Sequence, residues 1–216
     1  RPILDPFRVA RVIARPFVGD ARRGFTRTYN RHDFSIEPPS PTLLDRLKQA
    51  GREVIGVGKI EDIFAGCGLT RSERTHGNVE GMARLLELVH EVEGPALVFV
   101  NLIDFDMLYG HRRDPSGYAR ALQEADRAFV PVLAALRPDD LLVITADHGC
   151  DPTFAASTDH TREQVPLLAY RPGRAGQPLG RRSTFADVGQ TIAEGLGLPS
   201  LDAGTSFLSS TQGVAR

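Results

Sequence analysis

Two pairs of aspartate and histidine, each close behind an apolar run, are the residues of this chain best suited to chemistry. Asp147 and His148 follow the apolar stretch 141–144, and Asp106 and His111 follow the apolar stretch 96–102. Asp106 and His111 are five residues apart, a spacing that predicts a turn, with Gly110 permitting unusual backbone angles. A further histidine, His160, lies in a polar loop that could fold back over the site. Carboxylate and imidazole groups are ligands that suit Mn²⁺ or Zn²⁺ better than Ca²⁺. Two such pairs at strand ends predict a two-metal site for phosphate chemistry, with cations about 3.5–4 Å apart.

The neighbours of these residues leave some assignments open. Asp104 could be the ligand instead of Asp106, or it could orient a histidine ligand from behind. Asp147 and His148 would point to opposite faces of a regular strand, whereas at a strand end they could serve two neighbouring ions. Cys150 stands beside the site, and we interpret it as a small filling residue rather than a nucleophile.

These side chains must be positioned by alternating strands and helices. Strands are predicted over 10–18, 53–59, 96–102, 141–146 and 166–170. One helix is predicted to begin at a cap formed by Ser40 or Thr42 and to stop at Gly51, and another to begin at a cap formed by Asn78. Further helices are predicted over about 115–136 and from Thr184 to about 196, with a loop over 60–75. This alternation predicts an α/β fold with a mostly parallel sheet sandwiched by helices. Ligands of such sheets gather at the carboxyl ends of the strands, where Asp106, Asp147 and His148 fall.

Composition and charge narrow the possible functions. The 216 residues are 41% hydrophobic and 25% charged, with a formal net charge of −1, so no bulk field favours nucleic acid or a membrane. No apolar run approaches the roughly 20 residues of a spanning helix. Two cysteines, Cys67 and Cys150, make no disulfide framework, which fits a reducing compartment. We therefore expect a cytoplasmic protein that binds neither nucleic acid nor a membrane.

The longer motifs resemble a known group of enzymes. Thr145-Ala-Asp-His-Gly149 and Asp159-His-Thr-Arg162 resemble the alkaline phosphatase superfamily. Within that superfamily, Asp104-Phe-Asp-Met-Leu-Tyr-Gly-His-Arg-Arg-Asp114 and Arg11-Val-Ile-Ala-Arg-Pro16 are similar to the phosphopentomutase family. The resemblance covers essentially the whole chain. One departure is that Cys150 stands where the family pattern has Asn.

The resemblance implies a reaction, a cofactor and roles for particular residues. The family interconverts ribose or deoxyribose 1-phosphate and 5-phosphate, using two Mn²⁺ ions and a phosphorylated threonine. Carried onto matching positions, Asp106, His111 and His160 would hold one ion, and Asp147 and His148 the other. Positions near the sugar phosphate match Arg11, Ile13 and Lys59.

The resemblance also implies a division of the chain and a missing part. Residues 1–37 match the end of an inserted α+β cap domain and its return linker, and residues 38–216 match the metal-binding, alkaline phosphatase-like core. The nucleophilic threonine and one aspartate ligand match nothing here, so we expect them upstream of Arg1 and expect the chain alone to be inactive. The alternatives are a metal-dependent phosphomonoesterase or phosphodiesterase, and a non-catalytic fragment.

Overall fold

The computed structural model describes residues 2–28, 30 and 32–211. The strands are β1 (Arg11–Ala14), β2 (Phe17–Asp20), β3 (Gly24–Arg27), β4 (His32–Ser35), β5 (Glu53–Val57), β6 (Arg71–Glu73), β7 (Ala96–Val100), β8 (Leu142–Thr145) and β9 (Leu167–Tyr170). The helices are α1 (Leu43–Gln49), α2 (Ile60–Phe64), α3 (Asn78–Glu91), α4 (Pro115–Ala135) and α5 (Ala186–Gly195). A π-helical turn spans Phe105–Gly110, and 3-10 turns span Asp5–Phe7 and Leu208–Thr211.

A parallel three-stranded sheet lies at the centre of the core, with β5 between β6 and β7. Successive side chains of a strand point to opposite faces. Val54 of β5 accordingly packs with α1 and α2, while Ile55 and Val57 pack with Leu88 of α3. Helices thus cover both faces of this sheet, which confirms the α/β prediction.

The segment 141–170 departs from the expected single sheet. Strand β8 pairs in antiparallel register with β9, and within the described ranges it pairs with no other strand. The ribbon is only half-buried, and Leu168 of β9 is exposed. The strand end that carries Asp147 and His148 therefore belongs to a different ribbon from β7, and loops bring the two strand ends together.

Two further differences concern short or interrupted elements. The predicted loop over 60–75 contains α2 and β6, which are too short to show a hydrophobic period. The apolar run 10–18, predicted as one strand, is split into β1 and β2 at Arg15-Pro16. Proline has no amide hydrogen to donate to a strand ladder, so the chain changes partner there. Strand β1 pairs with β4, and β2 pairs with β3.

The predicted start of α1 is confirmed in detail. Thr42 and Asp45 form a capping box, in which the Thr42 amide donates to Asp45 Oδ2 at 2.7 Å and the Thr42 hydroxyl donates to the same oxygen at 2.8 Å. Beyond the helix, Gly51 adopts a φ of +71°, which glycine tolerates at low cost. The helix is thereby fixed at both ends.

The segment after α5 returns to that helix through a buried aspartate. Asp187 accepts hydrogen bonds from the Thr205 amide at 2.8 Å and from Arg182 Nε at 2.7 Å. These two donors, the amide first, hold the pKa of Asp187 below its ordinary value. Gly204 has a φ of +92°, and a side chain there would overlap the Ala186 carbonyl. The close approach of segment 204–207 to α5 therefore requires glycine.

None of the helices within the described ranges is both long enough and apolar enough to cross a membrane.

Candidate metal centre

Asp106 and His111 are brought together by the π-helical turn that follows β7. The His111 amide donates to the Asp106 carbonyl at 3.1 Å, which is the i to i+5 bond of a π-helix. This pattern stacks residues five apart, and it places His111 Nε2 3.2 Å from Asp106 Oδ1. The five-residue spacing of Asp106 and His111 predicted a turn, and the π-helical turn brings their side chains together.

Gly110 matters here for its missing side chain rather than for its backbone angles. It is not among the glycines with a positive φ, contrary to the expectation that it would permit an unusual backbone. A β-carbon at this position would overlap the Cys150 sulfur and lie 3.1 Å from the Phe105 carbonyl oxygen. Glycine therefore lets Cys150 approach the π-helical turn.

The loop after β8 folds back and places His160 at the same point. A bridge joins Gly149 to Thr161, with the Thr161 amide donating to the Gly149 carbonyl at 2.9 Å. The Asp151 amide also donates to the Thr161 hydroxyl at 2.8 Å. His160 Nε2 then lies 3.2 Å from Asp106 Oδ1. The loop thus folds back as expected from the sequence, and the Gly149–Thr161 bridge closes it.

Backbone carbonyls orient two of the imidazoles. His111 Nδ1 lies 2.5 Å from the Thr158 carbonyl oxygen, and His148 Nδ1 lies 3.0 Å from the Gly149 carbonyl oxygen. A carbonyl can only accept, so in each neutral ring Nδ1 carries the proton and Nε2 presents a lone pair. An imidazole held in this way is oriented to bind a metal through Nε2.

The surroundings of Asp106 Oδ1 fit a cation. This oxygen is buried and makes no hydrogen bond within the described residues, although two Nε2 atoms lie 3.2 Å from it. Tetrahedral bonds of about 2.0–2.1 Å place neighbouring ligand atoms about 3.4 Å apart. The ligand atoms of Asp106, His148 and His160 lie within 4.8 Å of one another. Atoms that face each other with lone pairs at this spacing are arranged to share a positive ion.

Of the predicted metal ligands, Asp106, His111, His148 and His160 are brought together, with the His148 and His160 rings stacked at 3.6 Å. Asp147 remains 76% exposed, with Oδ2 3.5 Å from His148 Nε2. The assignment of Asp147 and His148 to a second ion therefore stays a prediction.

Asp104 has a different role from Asp106. Its Oδ2 accepts a hydrogen bond from the Asn78 amide at the start of α3, at 2.7 Å, while the Asp104 amide donates to Asn78 Oδ1 at 2.9 Å. Asn78 was expected to cap its own helix, but Asp104 supplies the carboxylate instead. With its side chain committed to α3, Asp104 is not in the groups of possible metal ligands among the described residues.

Two residues not chosen from the sequence lie within this centre. Cys150 forms a possible ligand group with Asp106 and His111, and Asp159 forms one with His111 and His160. Burial, followed by the charge of Asp106, raises the pKa of the Cys150 thiol to about 11. Position next to a predicted ligand was the only sequence signal for either residue.

The predicted substrate-binding residues lie on β1 and at the start of α2, which are linked through β4. Arg11 in β1 is paired with the buried Asp33 of β4 at 3.5 Å, and Ile13 stands opposite Asp33 in the strand register. Lys59 follows β5, where Gly58 packs against the Asn101 carbonyl. Strand β4 contacts α2, which begins directly after Lys59. The three residues are therefore carried by elements beside the edge from which the Asp106 turn leaves β7.

A family model described as the metalloenzyme superfamily matches residues 18–200, a span that contains every clustered residue of the centre. The chain belongs to the metalloenzyme superfamily. Membership in this superfamily agrees with the grouping of carboxylate and imidazole side chains that could hold a metal ion.

This metalloenzyme-superfamily chain is also similar to curated phosphopentomutases, which confirms the resemblance seen in its motifs. It is 62% identical over 208 residues to the phosphopentomutase of Anaeromyxobacter sp. (strain K), covering 96% of this chain and 53% of that protein. It is 50% identical to the phosphopentomutase of Pseudoalteromonas translucida (strain TAC 125), covering 96% and 51%. The chain thus spans about half the length of the curated relatives it matches.

Proposed function

We propose that this chain is the metal-binding part of a phosphopentomutase that interconverts ribose or deoxyribose 1-phosphate and 5-phosphate. The observation that carries the proposal is the convergence of one carboxylate and three imidazoles in a chain 62% identical to a phosphopentomutase. The enzyme class is therefore an isomerase that moves a phosphoryl group within a sugar phosphate.

We assign the ligands as the resemblance implies. Asp106, His111 and His160 hold one divalent ion, and Asp147 and His148 contribute to a second, with Mn²⁺ as the expected metal. The lone pairs around Asp106 Oδ1 support the first group, and the proximity of Asp147 to His148 supports the second. When bound, the two ions supply the positive charge that neutralises phosphate oxygens and favours attack by an oxygen nucleophile.

The residues of the chain itself orient ligands and bind the substrate. The carbonyls of Thr158 and Gly149 keep Nε2 of their histidines directed outward for binding. The ion pair with Asp33 fixes the direction of Arg11 and leaves other guanidinium N–H groups for phosphate oxygens. Lys59 adds a second cation for the phosphate, and Ile13 packs against the sugar.

The phosphoryl group passes through a threonine that we expect on a part of the protein outside this chain. The phosphothreonine donates its phosphoryl group to a sugar hydroxyl, giving a bisphosphate, and the other phosphate returns to the threonine. The number of phosphate esters is unchanged, so no phosphate is released. The 216 residues alone are therefore expected to bind metal without completing the reaction.

The test is an isomerisation assay on the full-length gene product, with ribose 1-phosphate and Mn²⁺. Ribose 5-phosphate should form with no matching release of inorganic phosphate, and His160→Ala in the same protein should slow the reaction. Release of phosphate without isomerisation would show a phosphomonoesterase instead. Calorimetric titration of the 216-residue chain with Mn²⁺ tests the metal site separately, and His160→Ala should weaken that binding.

A further inference from the structure

Cys150 is placed like a ligand rather than like a filling residue. Its sulfur lies within 4.8 Å of ligand atoms of both Asp106 and His111, and His111 Nε2 lies 3.2 Å from Asp106 Oδ1. The approach depends on Gly110, since any side chain at that position would overlap the sulfur. The π-helical turn therefore leaves an opening that the Cys150 side chain occupies.

The three atoms suit a thiophilic ion in chemistry and in spacing. Thiolate sulfur binds Zn²⁺ at about 2.3 Å, and imidazole and carboxylate atoms bind it at about 2.0–2.2 Å. These bond lengths separate tetrahedral ligand atoms by roughly 3.4–3.6 Å, which is inside the 4.8 Å limit of the group. The buried Asp106 Oδ1, which makes no hydrogen bond within the described residues, is a second sign that a cation belongs here.

We propose that Cys150 Sγ coordinates the ion held by Asp106 and His111, so that this position selects Zn²⁺ or Co²⁺ over Mn²⁺. The sulfur–metal bond forms as the thiol proton leaves to solvent, and no electron is transferred. Soft sulfur ligands favour zinc-like ions, whereas manganese favours oxygen ligands. The inference rests on the proposed metal centre, but not on the mutase reaction, and it replaces the expectation of manganese at this one position.

The experiment titrates the 216-residue chain with Co²⁺, because cobalt bound to thiolate gives a sulfur-to-metal charge-transfer band in the near ultraviolet. The band should appear in the parent chain and in Cys67→Ser, and it should be absent in Cys150→Ser. Cys67 is the matched control, since it is the other free cysteine and is in none of the possible ligand groups among the described residues. Competition titrations should show a Zn²⁺ to Mn²⁺ affinity ratio about tenfold or more lower in Cys150→Ser.

A second measurement needs no substitution and covers the case in which Cys150→Ser fails to fold. Saturating Zn²⁺ should protect Cys150 from alkylation by iodoacetamide and leave the reaction of Cys67 unchanged, as read by peptide mass spectrometry. Co²⁺ binding without a charge-transfer band, or alkylation of Cys150 at the same rate with Zn²⁺, would overturn the sulfur ligand alone. Absence of any Co²⁺ binding would overturn the metal centre itself and the sulfur ligand with it.

Discussion

Two aspartates on either side of Phe105 should respond in opposite ways when each is changed to alanine. Asp104 caps α3, and Asp106 faces the imidazoles of the centre. Asp104→Ala should lower the free energy of unfolding and leave metal affinity nearly unchanged. Asp106→Ala should remove metal binding and leave the stability of the metal-free chain nearly unchanged.

The size of the Asp104 effect follows from two contributions. Loss of the 2.7 Å bond to the Asn78 amide removes a helix cap, which costs about 1 kcal/mol. Loss of a negative charge at the start of α3 adds about 0.3–1 kcal/mol. The sum is about 1.3–2 kcal/mol, which for a chain of this length lowers Tm by roughly 3–8 °C.

Asp106→Ala should change metal affinity rather than the free energy of unfolding. Its Oδ1 makes no hydrogen bond within the described residues, so alanine should cost less than about 1 kcal/mol in the absence of metal. Mutation of a residue that hydrogen-bonds to a metal ligand typically lowers metal affinity 10–100-fold. Loss of the Asp106 carboxylate itself should therefore lower metal affinity about 100-fold or more. That factor corresponds to about 2.8 kcal/mol.

The assay combines thermal unfolding in chelator with calorimetric titration of Zn²⁺ and Mn²⁺. Added metal should raise the Tm of the parent chain and of Asp104→Ala, but not of Asp106→Ala. Unchanged metal affinity in Asp106→Ala would refute the assignment. Lost affinity in Asp104→Ala with an unchanged Tm would return Asp104 to the list of ligands.

Three further predictions concern the start of α1, the start of α5 and the close contact at the π-helical turn. Thr42→Val should destabilise the chain by about 1 kcal/mol in urea denaturation, and an unchanged midpoint would show that the capping box contributes nothing. Hydrogen bonds from a backbone amide and from Arg182 hold the pKa of Asp187 low in the folded chain. Ionised Asp187 therefore stabilises the fold above the pKa that it has in the unfolded chain, and this stabilisation is lost as the pH falls through its pKa in the folded chain. Arg182→Gln should therefore flatten the acid limb of a Tm-against-pH curve, and an identical curve would contradict this. Gly110→Ala should destabilise by about 1–3 kcal/mol through overlap with Cys150, and adding Cys150→Ala should restore part of that loss; no recovery would mean that the contact is not the cause.

Much of the core could be predicted from the sequence because its elements are long or strongly apolar. The helix α3 and the strand β5 have enough residues for their periods to show, whereas α2 and β6 do not. The pairing of β8 with β9 depends on which strands meet in space. An apolar run in the sequence does not indicate which strand it pairs with, or whether the pairing is parallel or antiparallel. The sandwich of helices and parallel strands was therefore predictable, and the separate ribbon was not.

The residue types that meet at the candidate centre were predictable, but the contacts that support them were not. Asp106 and His160 stand out by residue type and position, yet the π-helical turn that aligns His111 has no simple sequence period. The bond between Asp104 and Asn78 joins residues 26 apart in sequence, so no local pattern reveals which carboxylate is committed to a helix. The role of Cys150 depends on space that Gly110 leaves, which is a property of packing alone.

The bridge between Gly149 and Thr161 has a consequence for proteolysis. The loop between the two residues exposes Thr153 through Ala156, while its ends are joined by backbone and side-chain hydrogen bonds. Exposed loop tips are preferred sites of cleavage. A protease should therefore nick this tip without releasing either end, and a metal that engages His160 should slow the nick, so the cleavage rate reports whether the centre is loaded.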